Sequence, residues 1–153
     1  MHEERDDTPV RDVSRAKEDG RKLSSQLFEM MQIKNSKTTE PGPHAALCDD
    51  KDPDRYYAIR HAWAAYGVTF EELQEAMERT KKDMPEKGWK VVKYGPDTSP
   101  AKTLELIADS AEKEFSVAIH LLDERKKQRD SRLTVNLVST CYETPKGKTV
   151  SAP

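Results

Sequence analysis

Apolar and polar positions follow two different periods along this chain, one typical of helices and one typical of strands. From Val13 to Lys34, apolar residues recur at intervals of three, four and seven, which places them on one stripe of a helix. The stripe consists of Val13, Ala16, Leu23, Leu27, Met30 and Met31, with Gly20 at the missing step. Because glycine in a helix interior costs about 1 kcal/mol relative to alanine, the pattern allows a kink or a break at Gly20.

A second helix is predicted to begin after Thr69. Thr69 and Glu72 form a capping box, in which the hydroxyl accepts the third helical N–H and the carboxylate reaches back to the N–H of the cap. The apolar stripe of this helix consists of Phe70, Leu73, Ala76, Met77, Thr80 and Met84. Lys81 and Lys82 oppose the negative end of the helix dipole, and Pro85 ends the helix.

Other segments alternate apolar and polar residues with a period of two, which is typical of strands with one buried face. They cover roughly residues 55–66, 89–94, 104–108, 115–121 and 133–141. Short gaps separate the last four, so these are expected to pair as antiparallel hairpins. The predicted fold class is therefore α+β: an open antiparallel sheet of about five strands, with two amphipathic helices covering one face.

The register of the last hairpin follows from its apolar positions. One strand contributes Phe115, Val117, Ile119 and Leu121, and the other contributes Leu133, Val135 and Leu137. Because successive residues of a strand point to opposite faces, these two sets are predicted to share the face that packs on the helices.

The two ends of the chain are poor in apolar residues, and the domain boundaries are predicted from that. Residues 1–12 contain only two apolar side chains, so we expect a disordered N-terminal tether. Residues 13–143 are predicted to form a single α+β domain. Residues 144–153 contain two prolines and a glycine and are expected to be a flexible C-terminal tail.

Composition narrows the class of protein. Among 153 residues, charged and hydrophobic residues each account for 35%, and the formal net charge is -2. A chain without excess positive charge is not expected to bind nucleic acid. No apolar run approaches the 18 or so residues that cross a bilayer, so membrane contact is expected only through a lipid anchor on a longer precursor.

The two cysteines, Cys48 and Cys141, allow two interpretations. Neither lies in a CxxC or beside histidine at zinc-site spacing, so they are either free thiols or one disulfide. Cys141 ends the last strand on the parity that faces the core. We predict the disulfide, which would indicate an oxidising compartment and hence a chain from which a leader has been removed. The alternative is a cytoplasmic protein that begins at Met1.

Several segments of the chain resemble the mature part of small exported lipoproteins from actinobacteria. They are PGPHAALCDD, RYYAIRHAWAAYGV, the second helix with the following WKVVKYGPD, and LTVNLVSTCYETPKG, which together lie within residues 13–147. The chain contains no lipobox and no acylated cysteine. The resemblance implies a location outside the cytoplasmic membrane, either anchored at the cell surface or secreted, and it implies no particular activity.

No catalytic constellation stands out in the sequence. Ser24 and Ser25 fall within the first helix, and no serine lies in a GxSxG turn. His61 shares the parity of Ile59 and Trp63, and we interpret it as a hydrogen-bonded histidine rather than an acid–base group or metal ligand. We therefore predict no catalytic residues, no metal site and no cofactor.

Strand alternation points to a different kind of site. Tyr56, Arg60 and Tyr66 on the first strand, and Tyr94 on the next, are predicted to share the sheet face opposite the helices. Exposed aromatic patches on monomers are often contact sites. The predicted function is accordingly an extracytoplasmic binding or scaffold domain without catalysis, whose partner is a protein or a component of the cell envelope. The alternative function is that of a cell-envelope hydrolase.

Overall fold

The computed structural model describes residues 8–110 and 114–153 and confirms the α+β class with an open antiparallel sheet and two helices. In chain order the elements are α1 (Val13–Met31), β1 (Lys37–Thr38), β2 (His44–Ala46), β3 (Tyr56–Tyr66), α2 (Phe70–Asp83), β4 (Lys90–Pro96), β5 (Leu104–Ser110), β6 (Phe115–Leu122), β7 (Arg132–Ser139) and β8 (Tyr142–Glu143). Within the described residues the sheet has eight strands rather than about five. The difference comes from β1, β2 and β8, which have only two or three residues each and therefore too little periodicity to be recognised.

The strands are ordered β1-β3-β7-β6-β5-β4, with β2 and β8 also paired to β3. Strands β4 to β7 form the predicted meander of antiparallel neighbours. The last long strand, β7, then pairs with β3, which lies before α2 in the chain. Arg60 of β3 is opposite His44 of β2 and also opposite Val138 of β7, so β2 and β7 flank β3 on its two sides.

The core lies between the two helices and one face of the sheet. The predicted register of the last hairpin is confirmed, since Val117 pairs with Leu137, Ile119 with Val135 and Leu121 with Leu133. All six side chains are buried. The inward residues of β3 are buried on the same side, apart from His61, which is only half-buried.

Helix α1 runs without interruption through Gly20, so no break occurs there. A Cβ atom at this position would lie 3.1 Å from Cγ2 of Ile59, closer than most real contacts. Glycine therefore lets α1 approach β3 closely. Among the described residues, no helix combines the length and the apolar character needed to cross a membrane.

The start of α2 has the predicted capping box. The Thr69 hydroxyl accepts from the N–H of Glu72, and the Glu72 carboxylate accepts from the N–H of Thr69, both at 3.1 Å. Arg79 of α2 also donates to the backbone carbonyl of Met31 at the end of α1, at 2.8 and 3.1 Å. This contact satisfies a carbonyl that the helix leaves without a partner and fixes the two helices relative to each other.

A disulfide joins Cys48 to Cys141, with Cα atoms 6.0 Å apart, as predicted. Cys48 follows β2 and Cys141 precedes β8, so the bridge links the segments on the two sides of β3. The register changes by one residue between β7 and β8, because Arg60 pairs with Val138 whereas Tyr57 pairs with Tyr142. This extra residue gives the inward position to Tyr142, and Cys141 does not continue the inward parity that the sequence predicted.

In the structure, the ordered domain is longer at both ends than the predicted range of residues 13–143. On the N-terminal side, the carbonyl of Pro9 accepts from the N–H of Glu143, and the N–H of Arg11 donates back to the carbonyl of Glu143. The hydroxyl of Tyr57 donates to the carbonyl of Arg11 at 2.6 Å. Residues 9–11 of the predicted tether are thus held against β8, while residues 1–7 lie outside the described residues.

The predicted C-terminal tail also returns to the domain. The N–H of Thr144 donates to the carbonyl of Arg55, and the N–H of Val150 donates to the carbonyl of Asp54. Lys148 forms an ion pair with Asp12, the N-cap of α1, at 3.0 Å. The tail therefore connects the turn before β3 to the start of α1.

Candidate functional site

The predicted binding residues on β3 lie on the sheet face opposite the helices. Tyr56, Arg60 and Tyr66 alternate with the inward residues of the strand, and Arg60 is exposed whereas both tyrosines are half-buried. Residues four and six positions apart on a strand are separated by about 13 and 20 Å. The three side chains are therefore spread along β3 and do not form one patch.

Tyr94 lies on the opposite face, so the prediction that it joins the other three is wrong. A β-bulge at Val92 shifts the register of β4, which places Tyr94 opposite the buried Leu106. The Tyr94 hydroxyl donates to Glu78 of α2 at 2.6 Å, and the ammonium of Lys81 lies 4.7 Å from the centre of its ring. One extra residue in the strand thus moves this side chain beneath the helix.

A cleft opens between α1, β3 and the segment that connects β1 to β2. We call it the α1 cleft, and its volume is about 430 Å³. Its lining consists of Arg21, Ser24, Ser25, Phe28 and Glu29 of α1, residues 38–43, and His61 and Trp63 of β3.

The α1 cleft exists because β3 lacks a continuous neighbour at this point. Strand β2 pairs with residues 58–60 of β3, and β1 pairs with residues 65–66. Between them the chain reads Pro41-Gly42-Pro43, and prolines have no N–H to offer to a strand ladder. The connecting segment leaves the sheet here, and Thr39 holds its first part to β3 through two hydrogen bonds with Ala64, of 2.9 and 3.1 Å.

A chain of hydrogen bonds forms the floor of the α1 cleft. The indole N–H of Trp63 donates to the hydroxyl oxygen of Ser24 at 3.1 Å. The same oxygen lies 2.7 Å from Nδ1 of His61. Because an indole can only donate, the Ser24 oxygen accepts there, and its own proton is free to bond Nδ1 in the tautomer that carries the ring proton on Nε2.

The environment of His61 keeps its ring neutral. Burial lowers the pKa of His61, while a hydrogen bond to the backbone of Pro41 acts in the opposite direction. Arg21 and His44 lower the pKa further, and Glu40 raises it. A neutral imidazole is able to accept the Ser24 proton at Nδ1.

Charged and polar groups line the rest of the α1 cleft. Arg21 forms an ion pair with Glu18 at 2.9 Å. Within the part of the chain that the structure describes, the carboxylates of Glu29 and Glu40 form no ion pair or hydrogen bond. Ser25 is exposed one residue after Ser24. A bound molecule would therefore meet free polar groups above an aromatic floor.

The sequence analysis did not identify the pairing of Ser24 with His61. Two signals were nevertheless present. Ser24 lies four residues after Gly20 and three before Leu27, which places it on the buried stripe of the helix. His61 lies on the inward parity of β3, so it must face that helix. What the sequence does not contain is the position of α1 along β3, which decides whether the two side chains meet.

Among residues 8–110 and 114–153, no group of histidine, cysteine or acidic residues is arranged to hold a metal ion. We take the α1 cleft as the candidate site because polar side chains and aromatic rings meet in it. Its functional groups are a serine hydroxyl, a neutral imidazole, two carboxylates and aromatic rings. Comparisons of the chain with models of known protein families, with curated proteins and with solved structures found no match.

Proposed function

We propose that this chain is a binding domain that holds a small ligand in the α1 cleft. The observation that carries the proposal is the α1 cleft itself, whose volume lies in the range of about 300–1,000 Å³ that small-molecule sites occupy. Its lining also has the composition of such sites, because Phe28 and Trp63 supply apolar surface and a few polar groups converge on it.

The α1 cleft is a better ligand site than the outer sheet face that the sequence favoured. Tyr56 and Tyr66 are each covered in part by cations, since the Lys51 ammonium lies 4.7 Å from one ring and the Arg132 guanidinium 5.4 Å from the other. Separated and partly covered rings offer little continuous apolar surface.

We further propose that the domain works outside the cytoplasmic membrane, as the exported part of a lipoprotein whose precursor carries the anchor. The Cys48–Cys141 disulfide supports this location, because such bonds persist in oxidising compartments and are rare in the cytosol. The resemblance of the sequence to exported lipoproteins leads to the same expectation, and it includes the two segments that contain these cysteines.

Ligand binding is tested with variants that fill the α1 cleft. A library of small aromatic amines and carboxylates is screened by ligand-observed NMR against the parent protein, Ser25→Trp and Ala62→Trp. Ser25 is exposed in the α1 cleft, and Ala62 is exposed on the outer face of β3. We expect the fragments to bind the parent and Ala62→Trp but not Ser25→Trp. Equal binding by all three proteins would contradict the proposed site.

The location is tested with the complete native gene, including its own upstream sequence. We expect the protein to fractionate outside the cytoplasm and to be cleaved when protease is added to intact cells. Recovery in the cytoplasm with both cysteines open to alkylation would contradict an exported domain.

A further inference from the structure

We propose that Ser24 is a nucleophile that His61 activates, and that it accepts the acyl group of a carboxylic ester bound in the α1 cleft. The inference goes beyond ligand binding, although it depends on the same α1 cleft to deliver the ester. It rests on the 2.7 Å contact between the Ser24 oxygen and Nδ1 of His61, at the floor of a cleft that both residues line.

The hydroxyl and the base of an activated nucleophile are both present. Ser24 supplies the hydroxyl, and His61 is the base within hydrogen-bond reach of it. The activation requires the tautomer with its proton on Nε2, in which Nδ1 presents its lone pair to the hydroxyl.

Trp63 adds a hydrogen-bond donor to the pair formed by Ser24 and His61. Its indole N–H donates to the Ser24 oxygen at 3.1 Å. This donor stabilises negative charge on the oxygen as the proton leaves. One lone pair of the oxygen accepts the indole N–H, and the other remains for the attack on a carbonyl carbon.

The step balances without any additional reactant besides water. As the Ser24 oxygen bonds the ester carbonyl carbon, its proton moves to Nδ1 of His61, and collapse of the tetrahedral intermediate breaks the bond to the alkoxy group. The alkoxy group takes that proton and leaves as the alcohol. Water then attacks the acyl carbon and gives a proton to Nδ1 of His61. The bond between the acyl carbon and the Ser24 oxygen breaks, that oxygen takes the proton back from His61, and the carboxylic acid is released.

We assign to Arg21 the stabilisation of the charge that develops on the carbonyl oxygen, for which its guanidinium would turn from Glu18 toward the ester. Arg21 lies on α1 one turn before Ser24, lines the α1 cleft and is exposed there. One guanidinium nitrogen of Arg21 lies close to the backbone of Gly42, 3.7 Å from the position that a Cβ atom would take on that residue. With the rings of Phe28 and Trp63 beside it, the α1 cleft favours esters that carry an apolar or aromatic group.

The test is covalent labelling by an alkyl fluorophosphonate, which forms a phosphorus–oxygen bond with an activated serine and releases fluoride. Folded protein should gain one adduct by intact mass, and peptide mapping should locate it at Ser24. Ser116→Ala is the control, since Ser116 is exposed on β6 and does not line the α1 cleft. We expect Ser116→Ala to label at the parental rate and Ser24→Ala to lose the adduct.

The role of His61 is tested by His61→Gln, which should slow labelling by about 100-fold or more, the usual contribution of a general base. Because Ser24→Ala removes two hydrogen bonds, its fold is checked by thermal melting. A second variant, Ser24→Cys, keeps a donor and acceptor there and should react with iodoacetamide at least ten times faster than Ser25→Cys.

Three results would overturn the proposal: no adduct on the folded parent protein, an adduct at another residue, or equal reactivity of the two cysteine variants. Failure of the binding proposal looks different. In that case Ser25→Trp leaves fragment binding unchanged, whatever the outcome of labelling. Fragment binding that survives in Ser24→Ala, with no adduct on the parent, would leave a binding domain without a nucleophile.

Discussion

At the scale of single residues, the hydrogen bonds of Ser24, His61 and Trp63 decide what the α1 cleft is able to do. Each of the three polar atoms has a partner, so burial costs little free energy. The partners come from two elements that are far apart in sequence, which is why the residue types were readable from the sequence but their pairing was not.

The lowered pKa of His61 predicts a loss of stability in mild acid. An unfolded chain has a histidine pKa of about 6.5, so below that pH the unfolded state binds a proton more readily than the folded state. The free energy of unfolding should therefore fall as the pH is lowered from 7 to 5. His61→Gln should show a smaller fall over the same range.

This effect is separable from that of the carboxylates. The pKa values of Asp97 and Glu105 are lowered, chiefly by hydrogen bonds from Ser99 and Lys93 respectively, so their contributions disappear only at more acidic pH. Denaturant unfolding at pH 5, 6 and 7 measures the difference. Parallel pH profiles for the parent and His61→Gln would show that His61 is not the group that titrates.

At the scale of elements, alternation in the sequence is a good guide where strands are regular and a poor one where they bulge. The faces of β6 and β7 follow from their apolar positions because neither strand contains an extra residue. In β4 a single bulge at Val92 reverses the parity of the residues after it. Period-two patterns contain no signal for a bulge, so the position of Tyr94 could not be predicted from the sequence.

The regular hairpin provides a matched pair of substitutions. Val135→Asp would place an unpaired carboxylate in the core and should lower the free energy of unfolding by several kcal/mol. Asn136→Asp, one residue later on the exposed face, should change it by no more than about 0.5 kcal/mol. Urea unfolding measures both, and similar values for the two variants would contradict the assigned faces.

The bulged strand provides another pair. Tyr94→Ala removes the hydrogen bond to Glu78 and a ring packed against the core, and should cost about 1–3 kcal/mol. Val92→Ala, at the bulge where the side chain is 50% exposed, should cost less than about 1 kcal/mol. A loss of less than about 0.5 kcal/mol from Tyr94→Ala would return Tyr94 to the outer face that the sequence suggested.

At the scale of the whole molecule, segments that are far apart in the sequence meet around strand β3. Strand β3 pairs with β7 and β8, and the disulfide links the segments beside β3. Among the described residues near the two ends, Pro9 and Arg11 bond β8, while Thr144 and Val150 bond the turn before β3. The fold class and the disulfide were predictable, since they depend on periodicity and on a small number of cysteines. The ordered ends were not, because their contacts are backbone hydrogen bonds that composition does not reveal.

The disulfide should contribute a large part of the stability. It joins residues 93 positions apart, and closing a loop of that length stabilises the folded state by about 4–5 kcal/mol through the entropy of the unfolded chain. The Cys48→Ala, Cys141→Ala double variant should therefore unfold at much lower urea concentration. Under non-reducing conditions the parent should be two hydrogens lighter by mass spectrometry and should not react with iodoacetamide after denaturation. Two alkylated cysteines in oxidised protein would contradict the bridge.

The α1 cleft as the ligand site is the central claim, and protein-observed NMR tests it most directly. Uniformly ¹⁵N-labelled protein is titrated with the fragments that bind. The chain has two tryptophans, Trp63 in the α1 cleft and Trp89, which is buried and does not line it. We predict that the indole N–H signal of Trp63 and the amide signals of Ser25 and Gly42 shift together, while the indole signal of Trp89 stays in place. Shifts centred on Arg60 and the outer face of β3, with the Trp63 signal unmoved, would contradict the claim.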